Sequence, residues 1–266
     1  MTYQKWHLAA FSYLAVLTAP SYANAIDIAP HAVTYQLGLL ESDKEAGIEA
    51  IDGKTIFQIV RECEGWKSDE DYIMQMRFDG GGEIYMASLF ESFEDEAGQL
   101  FSFSIDERTS YDDPLTFDGF ATASGAGAEA YFSIEPDNAL NLPDDTYFPI
   151  QHTFKILEMA NAGETFFNGH IFFGAKPDEA LKKTSVIIGN LQQAEGYDVS
   201  SDLMMTDYYP VQVAYFDPAS QAGLPAYEIF FHMQKNGVVP YYQIDYGDFK
   251  LSATISDISA QDQPDC

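Results

Sequence analysis

The chain has 266 residues, of which 46% are hydrophobic and 15% aromatic, a composition too apolar for a disordered protein. It carries 13 Lys and Arg residues against 42 Asp and Glu residues, which gives a net charge of −29. So acidic a surface repels nucleic acid and anionic lipid headgroups, because binding either one requires basic residues that displace counterions. We therefore predict no role on nucleic acid or on a membrane surface, and we attribute the acidity to solubility or to a saline habitat, with a specific cationic partner as the alternative.

Residues 1–25 have the three-part layout of a secretory signal peptide. Lys5 precedes the apolar run LAAFSYLAVL, and Ala23-Asn24-Ala25 supplies the small residues of a cleavage site. The apolar run is too short for a membrane span, which needs roughly 20 apolar residues. We predict cleavage after Ala25, which leaves no integral membrane segment in the mature chain. Because residues 1–25 contain one lysine and no acid, their removal changes the net charge from −29 to −30.

Apolar and polar residues alternate with a period of two along most of the remaining chain, a pattern typical of half-buried β-strands. In HAVTYQLGLL, Val33 and Tyr35 share one face, and in DYIMQMRF, Tyr72, Met74 and Met76 do so. About a dozen such segments are joined by short links, which make neighbours antiparallel because parallel pairs need long crossovers. We predict a mainly β fold, with a single long antiparallel meander curled into an open-barrel or spiral-like sheet.

One segment breaks the two-residue period and predicts the only substantial helix of the mature chain. In FPIQHTFKILEMANAG, apolar residues recur at spacings of three and four between Ile150 and Ala160. Pro149 suits a first helical turn and Gly163 suits a C-terminal cap. The apolar stripe must be buried, so we expect the helix to pack on or inside the curled sheet.

The predicted sheet and helix form one domain. No internal repeat, low-complexity tract or linker divides residues 26–258, and the polar tail 259–266 follows.

Near the end of the domain, Asn236-Gly237 lies between two apolar alternations and predicts a tight hairpin turn that requires positive φ.

A search for chemical motifs finds no catalytic constellation. The histidines of the mature chain, none of which lies in a zinc motif such as HExxH, are His31, His152, His170 and His232. No G-x-S-x-G elbow occurs, and FDGGGEI precedes an alternating strand instead of the helix N-terminus that a phosphate loop needs. We predict no catalytic, cofactor-binding or metal site.

Acidic clusters occur at 68–72 (SDEDY), 93–98 (FEDEAG), 111–114 (YDDP) and 143–147 (PDDTY). Their carboxylates would suit calcium, which prefers oxygen ligands, but none reproduces the spaced D-x-D-x-D-G loop. We interpret them as solvated loops, with calcium binding as the alternative.

The chain is rich in aromatic residues, with 17 Tyr and 20 Phe, many of them on alternating strand positions. Two interpretations follow. The rings fill the interior of a curled sheet, or some of them line a groove for an acyl chain, a sugar or a peptide.

Two cysteines are present, Cys63 in RECEGW and Cys266 at the last position. In an exported chain a pair of cysteines is most simply a disulfide, which would close a loop of about 200 residues and stabilise the fold by about 5 kcal/mol in the loop-entropy model. The residues beyond the last strand reach roughly 25 Å, which makes an internal bond feasible. An intermolecular bridge and a free thiol are the alternatives.

An ordered set of motifs resembles the EipB family of periplasmic cell-envelope integrity proteins from Gram-negative bacteria. The motifs are HAVTYQLGL, the Cys-x-Gly-aromatic unit at Cys63, FPIQHT, SVIIG, DYGDF and the late cysteine. The resemblance implies a sheet wound as a spiral around a helix, a periplasmic location and a disulfide between Cys63 and Cys266. The strong acidity and the DGGG run depart from the family pattern, which puts any inherited partner surface in doubt.

The resemblance also implies a role in envelope integrity with no established enzymatic activity. We therefore hypothesise a non-enzymatic periplasmic protein that binds a cell-envelope component or a periplasmic partner protein. The alternative is a carrier of lipid or lipoprotein acyl chains in a β-barrel-like groove, which the aromatic strand faces and the family's loose likeness to lipoprotein carriers favour. An envelope hydrolase has no motif to support it.

Overall fold

The computed structural model describes residues 26–124, 127–194 and 196–266, so the predicted signal peptide at 1–25 lies outside the described residues. Within these ranges the chain forms sixteen strands and one helix, which confirms the predicted mainly β class. The first eight strands are β1 His31–Ser42, β2 Ile48–Glu62, β3 Gly65–Phe78, β4 Glu83–Asp95, β5 Leu100–Thr109, β6 Leu115–Ser124, β7 Gly127–Phe132 and β8 Leu140–Leu142. The others are β9 Thr146–Tyr147, β10 Phe166–Phe172, β11 Leu181–Ile188, β12 Gln192–Gln193, β13 Asp207–Phe216, β14 Tyr227–Gln234, β15 Tyr241–Asp245 and β16 Phe249–Ala260. The helix α1, Pro149–Ala162, lies between β9 and β10.

All of the strands belong to one sheet, in which chain neighbours lie side by side as in the predicted meander, apart from the short β12 and the opening between β8 and β9. The order runs from β8 back to β1, passes to β16, and then runs back through β15, β14, β13, β11 and β10 to β9, with β12 paired to β13 outside this path. Two antiparallel arms therefore meet where the first strand pairs with the last, from His31 opposite Ala260 to Ser42 opposite Phe249. Neighbours are antiparallel except for β9 and β10.

The sheet curls until its two edge strands are close to each other. The edges are β8 and β9, which are adjacent in the chain and joined by residues 143–145. The four peptide steps from Leu142 to Thr146 span at most about 14 Å. An open barrel results, with a short connection across the gap instead of a ladder of hydrogen bonds.

The helix has the bounds that the sequence predicts and lies on the inner face of the sheet. Pro149 is at the first position, and Gly163 caps the end with φ 75°, donating its N–H to Ala160 O at 3.1 Å. The buried helix residues Ile156 and Leu157 pack in one core with inner-face residues of both arms. The helix thus fills one end of the curled sheet.

A buried acid from the sheet caps the N-terminus of this helix. Phe148 at the N-cap position makes no side-chain hydrogen bond. Glu94 on β4 accepts hydrogen bonds from the backbone N–H groups of Ile150 at 2.8 Å and Gln151 at 2.9 Å. Burial raises the pKa of Glu94 to about 7, although the two N–H donors act in the opposite direction. The cap ties the helix to the inner face of β4.

A second core is built of phenylalanine rings from β5, β6, β7 and β10. Phe101 stacks on Phe148 with ring centroids 5.3 Å apart, and Phe103 contacts Phe172 edge-to-face at 6.0 Å. Phe101 and Phe172 are fully buried. Along β5 the apolar residues Phe101 and Phe103 alternate with serines and face inward, so in this part of the molecule the rings fill the interior. We refer to these β5–β7 and β10 residues, with Phe148, as the phenylalanine core.

The hairpin signal at Asn236-Gly237 marks a turn, although the connection between its strands is longer than two residues. Gly237 has φ 81° and donates its N–H to Gln234 O at 2.9 Å. β14 ends at Gln234 and β15 begins at Tyr241. A Cβ on Gly237 would lie 3.0 Å from Ile28, so glycine serves both the backbone conformation and the close packing.

Candidate ligand cavity

A cavity of about 390 Å³ lies inside the sheet, between β1–β3 on one side and β14–β15 on the other. Its volume is within the range of small-molecule sites. The aromatic lining residues are Tyr35, Phe57, Phe231 and Tyr242. The aliphatic ones are Ile229, Met233, Val239 and Ile244, and the polar ones are His31, Glu70 and Thr153. The cavity is thus mainly apolar, with a single carboxyl group.

Strand register explains why these side chains face inward. Along β3, Glu70 lies in phase with the buried Ser68 and with Tyr72, and it is directly opposite Phe57 on β2. On the other wall, Phe231 of β14 is opposite Tyr242 of β15. Because successive residues of a strand alternate between faces, the neighbouring Asp71 is exposed on the outer face.

The position of Glu70 corrects the interpretation of SDEDY at 68–72 as a solvated loop. This segment lies inside β3, Gly65–Phe78. Its acidic side chains alternate between the two faces of the strand, so that Glu70 points into the curled sheet while Asp69 and Asp71 face outward. The phase of Tyr72, Met74 and Met76 contains the signal for this, since extending it backwards by two residues places Glu70 on the apolar face.

Glu70 is a half-buried acid that the protein itself does not neutralise. Among the described residues it makes no hydrogen bond and no ion pair, and burial raises the pKa of its carboxyl group. Burial also raises the pKa of Tyr35 and Tyr242, and the negative charge of Glu70 adds to both effects. The carboxylate is therefore electrostatically coupled to the rings that line the cavity.

Three other polar residues of the lining, His31, Tyr35 and Thr153, are neutral, and each already donates a hydrogen bond within the protein. His31 Nδ1–H donates to Ala29 O at 2.7 Å, and burial lowers the pKa of the ring, which keeps it neutral at pH 7. Tyr35 donates its hydroxyl to Val239 O at 2.7 Å. Thr153 on the helix donates its hydroxyl to Pro149 O at 3.0 Å. Glu70 is the one lining group with free hydrogen-bonding capacity and a charge.

The other predicted histidines have separate environments. His152 is buried on the helix against Tyr147 and Phe167, and burial lowers its pKa to about 4. His170 Nδ1 lies 2.7 Å from Asp145 Oδ1, and the ring of His232 stacks on Tyr208 with centroids 3.9 Å apart. No two of these three side chains contact each other within the part of the chain that the structure describes.

A larger groove, of about 650 Å³, lies on the outer face of β2–β5. Its floor includes Ile73, which is 57% exposed, and Tyr85, which is 53% exposed. Arg108 at its rim is already paired, since Nε donates to Asp106 Oδ1 at 3.1 Å. We assign the candidate site to the interior cavity because its carboxyl group has no partner among the described residues, whereas the arginine of the outer groove is already paired.

The two cysteines form a disulfide in the structure, with their Cα atoms 5.6 Å apart. Cys63 lies in the turn between β2 and β3, and Cys266 ends the tail that leaves β16 at Ala260. β16 therefore includes the first two residues of the predicted tail 259–266. The bond holds the end of the chain against the β2–β3 turn and contributes no side chain to the cavity.

Comparisons with known proteins agree with this architecture. The family model described as EipB-like matches residues 22–262. The chain is 27% identical, over 259 residues, to the cell envelope integrity protein EipB of Brucella abortus (strain 2308), covering 95% of this chain and 91% of that protein. It is similar to the crystal structure of a β-barrel-like protein of a domain of unknown function from Brucella abortus, with a TM-score of 0.83 and 25% identity, covering 90% of this chain and 100% of that one.

The resemblance deduced from the sequence motifs is thereby confirmed. The similar protein is named for cell-envelope integrity and not for a reaction. No helix among the described residues is both long enough and apolar enough to cross a membrane. With its family model matched from residue 22 to residue 262, the chain belongs to the EipB-like family.

Proposed function

We propose that this chain is a non-catalytic periplasmic protein that supports cell-envelope integrity by binding an envelope component in its interior cavity. The observation that carries the proposal is the apolar cavity of about 390 Å³ inside the sheet, with Glu70 as its single charged group. The predicted signal peptide at 1–25 supports the location, and the name of the Brucella relative supports the role in the envelope.

The chemistry of the lining favours binding over catalysis. Acyl or glycosyl transfer needs a nucleophile activated by a base, or a pair of carboxyl groups on either side of the substrate. In the cavity His31 donates to a backbone carbonyl, and Glu70 is the only acid among the lining residues. These groups can orient a ligand, but they do not make a nucleophile and base pair.

Complementation tests the proposal in cells. A strain that lacks the gene is expected to become sensitive to detergent and to cell-wall antibiotics, and the unaltered gene is expected to restore resistance. Ile229→Trp, which places a large ring in the cavity, is expected to fail to restore it. Its matched control is Ile187→Trp, since Ile187 lies on β11 and is 54% exposed.

Two outcomes would contradict the proposal. Unchanged sensitivity of the deletion strain would remove the envelope role. Full rescue by Ile229→Trp, at normal protein level, would show that the cavity is not the site. Immunoblots of periplasmic extracts, run without reductant, check the level and the Cys63–Cys266 bond of each variant.

A second candidate function is carriage of lipid or lipoprotein acyl chains. It is favoured by the aliphatic lining from Ile229, Met233 and Ile244. A carrier must release what it binds, so transfer of a fluorescent fatty acid from donor to acceptor vesicles is the measurement. Binding without transfer would reject carriage and leave the first proposal standing.

A further inference from the structure

The described part of the molecule offers two unexplained features that face each other across one space. The first is the half-buried carboxyl group of Glu70 in the cavity wall, which has no hydrogen-bond or ion-pair partner among the described residues. The second is the set of aromatic rings around the same cavity. Polar groups that are withdrawn from bulk water in native proteins are usually paired, so an unpaired, half-buried acid in the wall of a ligand-sized cavity indicates a group supplied from outside the chain.

The charge of this ligand follows from the charges around the cavity. The lining contains no Lys or Arg, and burial keeps His31 neutral at pH 7. An anionic headgroup would meet Glu70 at short range in a region of low dielectric, and the whole chain carries a net charge of −29. A cationic headgroup would instead neutralise the one unpaired charge in the cavity.

The aromatic rings narrow the chemical class of the ligand further. Phe57 is directly opposite Glu70 on β2, which places the two Cβ atoms about 5 Å apart. Tyr35 and Tyr242 pack edge-to-face at 5.2 Å and are coupled to the charge of Glu70. Aromatic faces attract ammonium groups, and rings combined with a carboxylate form the usual cage for a substituted ammonium ion.

Resting on the function proposed above, we propose that the cavity binds an amphiphile with an ammonium headgroup, which sits at Glu70 among Tyr35, Phe57 and Tyr242, with its alkyl chain along Ile229, Phe231 and Ile244. The polar head is bound by charge and by the ring faces. The chain is bound by burial of its apolar surface. An anionic amphiphile of the same length binds most weakly, because Glu70 repels its headgroup.

A charge series on a constant chain tests this assignment. Calorimetric titrations use decyltrimethylammonium, decylammonium, 1-decanol and decanoate, all below micelle-forming concentration and at 0.15 M salt to screen the acidic surface. We expect the tighter of the two cations to bind about tenfold more tightly than the alcohol, and decanoate to bind most weakly. Whether the quaternary or the primary ammonium binds more tightly identifies the headgroup type, and either order supports the assignment.

Variants separate the cavity charge from the charge of the surface. Glu70→Gln keeps the shape of the side chain and is expected to abolish the preference for cations while leaving 1-decanol binding unchanged. Asp71→Asn removes the next acid on the same strand, on the outer face, and is expected to leave every affinity unchanged. If Glu70→Gln does not fold, the order of the four ligand affinities for the unaltered protein still tests the headgroup assignment.

The outcomes distinguish this inference from the function on which it rests. Equal binding of the cations and the alcohol, or a cation preference that survives in Glu70→Gln, would overturn the headgroup assignment while the cavity remained a binding site. Absence of binding by all four ligands, or binding that Ile229→Trp leaves unchanged, would overturn the assignment of an amphiphile to this cavity, whereas the envelope role itself is tested separately by complementation.

Discussion

Two regions of the interior, the phenylalanine core and the cavity, are built by the same alternation of inward and outward residues but differ in what their side chains do. In the phenylalanine core, rings from β5, β6, β7 and β10 meet Phe148 and leave no acid among them. On the other side, rings from β1, β2, β14 and β15 surround a cavity of about 390 Å³. Glu70 lies at the boundary, opposite Phe57 on β2 and Phe90 on β4. The contrast indicates a division of roles, in which the phenylalanine core stabilises the fold and the cavity binds the ligand.

The hydroxyl groups of the cavity side support this division. A tyrosine hydroxyl needs a hydrogen-bond partner, and Tyr35 finds one in Val239 O. Phenylalanine needs none, so its rings can close completely around one another. A ligand site requires polar groups with fixed orientation, and the tyrosines supply them at the cost of looser packing.

Loss of the disulfide has the largest expected effect and should weaken both regions together. Cys266→Ser opens a loop with a sequence separation of 203 residues, and we expect a loss of up to about 5 kcal/mol in the free energy of unfolding. Urea unfolding measures it. Since the bond touches neither the cavity nor the phenylalanine core, ligand affinity at low temperature should be retained. Loss of ligand affinity in Cys266→Ser without a matching loss in the free energy of unfolding would contradict this expectation.

Matched Phe→Ala substitutions test the comparison itself. Phe103→Ala removes a ring that contacts Phe101, Phe117, Phe132 and Phe172, and we expect a loss of about 4 kcal/mol. Phe231→Ala enlarges a space that already exists, and we expect a loss of about 2 kcal/mol together with weaker ligand binding. Urea unfolding curves compare the two. Equal losses would mean that both regions are packed alike.

The helix cap predicts a pH dependence of stability that comes from Glu94. Its pKa is about 7 in the folded protein and 4.5 as the ordinary value, so the folded state binds the proton more tightly. The resulting stability is present below pH 4.5 and is lost as the pH rises through 7, by about 3 kcal/mol in total. Urea unfolding at pH 5, 6, 7 and 8 measures it. In Glu94→Gln this part of the slope should vanish, and an unchanged slope would contradict the assignment.

The smallest expected effect is a gain in stability on removal of the unpaired acid in the cavity. In the absence of ligand, Glu70→Gln replaces an unpaired, half-buried carboxylate by a neutral group, and we expect a gain of about 1 kcal/mol at pH 8. Because the folded pKa is raised, the advantage over the unaltered protein should grow as the pH rises. Thermal unfolding checks this, with Asp71→Asn as the unchanged control. Destabilisation would indicate a structural role for Glu70.

Local signals account for much of the fold. The alternation at Val33 and Tyr35 and the helix between Pro149 and Gly163 are predictable, because each depends on residues within one strand or one helix. The pairing of β1 with β16 is not, since no turn joins strands at opposite ends of the chain. The cap by Glu94 was missed for the same reason, because it lies 56 residues from Ile150.

The cavity was only partly predictable. The wealth of aromatic residues suggests either a filled interior or a lined groove, and the structure contains both, in different regions. Composition does not distinguish them, because the choice depends on which rings face one another across the barrel. Glu70 was within reach of sequence reasoning through its phase with Tyr72. The opposite wall, from Phe231 and Tyr242, required the tertiary structure.

Native mass spectrometry of the protein released gently from the periplasm tests the central claim most directly. We predict a bound small amphiphile on the unaltered protein and on Ile187→Trp, and none on Ile229→Trp, which fills the cavity. All three samples should carry the Cys63–Cys266 bond. The same adduct on all three proteins, or no adduct on any of them, would contradict the claim that the interior cavity is where this protein binds its envelope component.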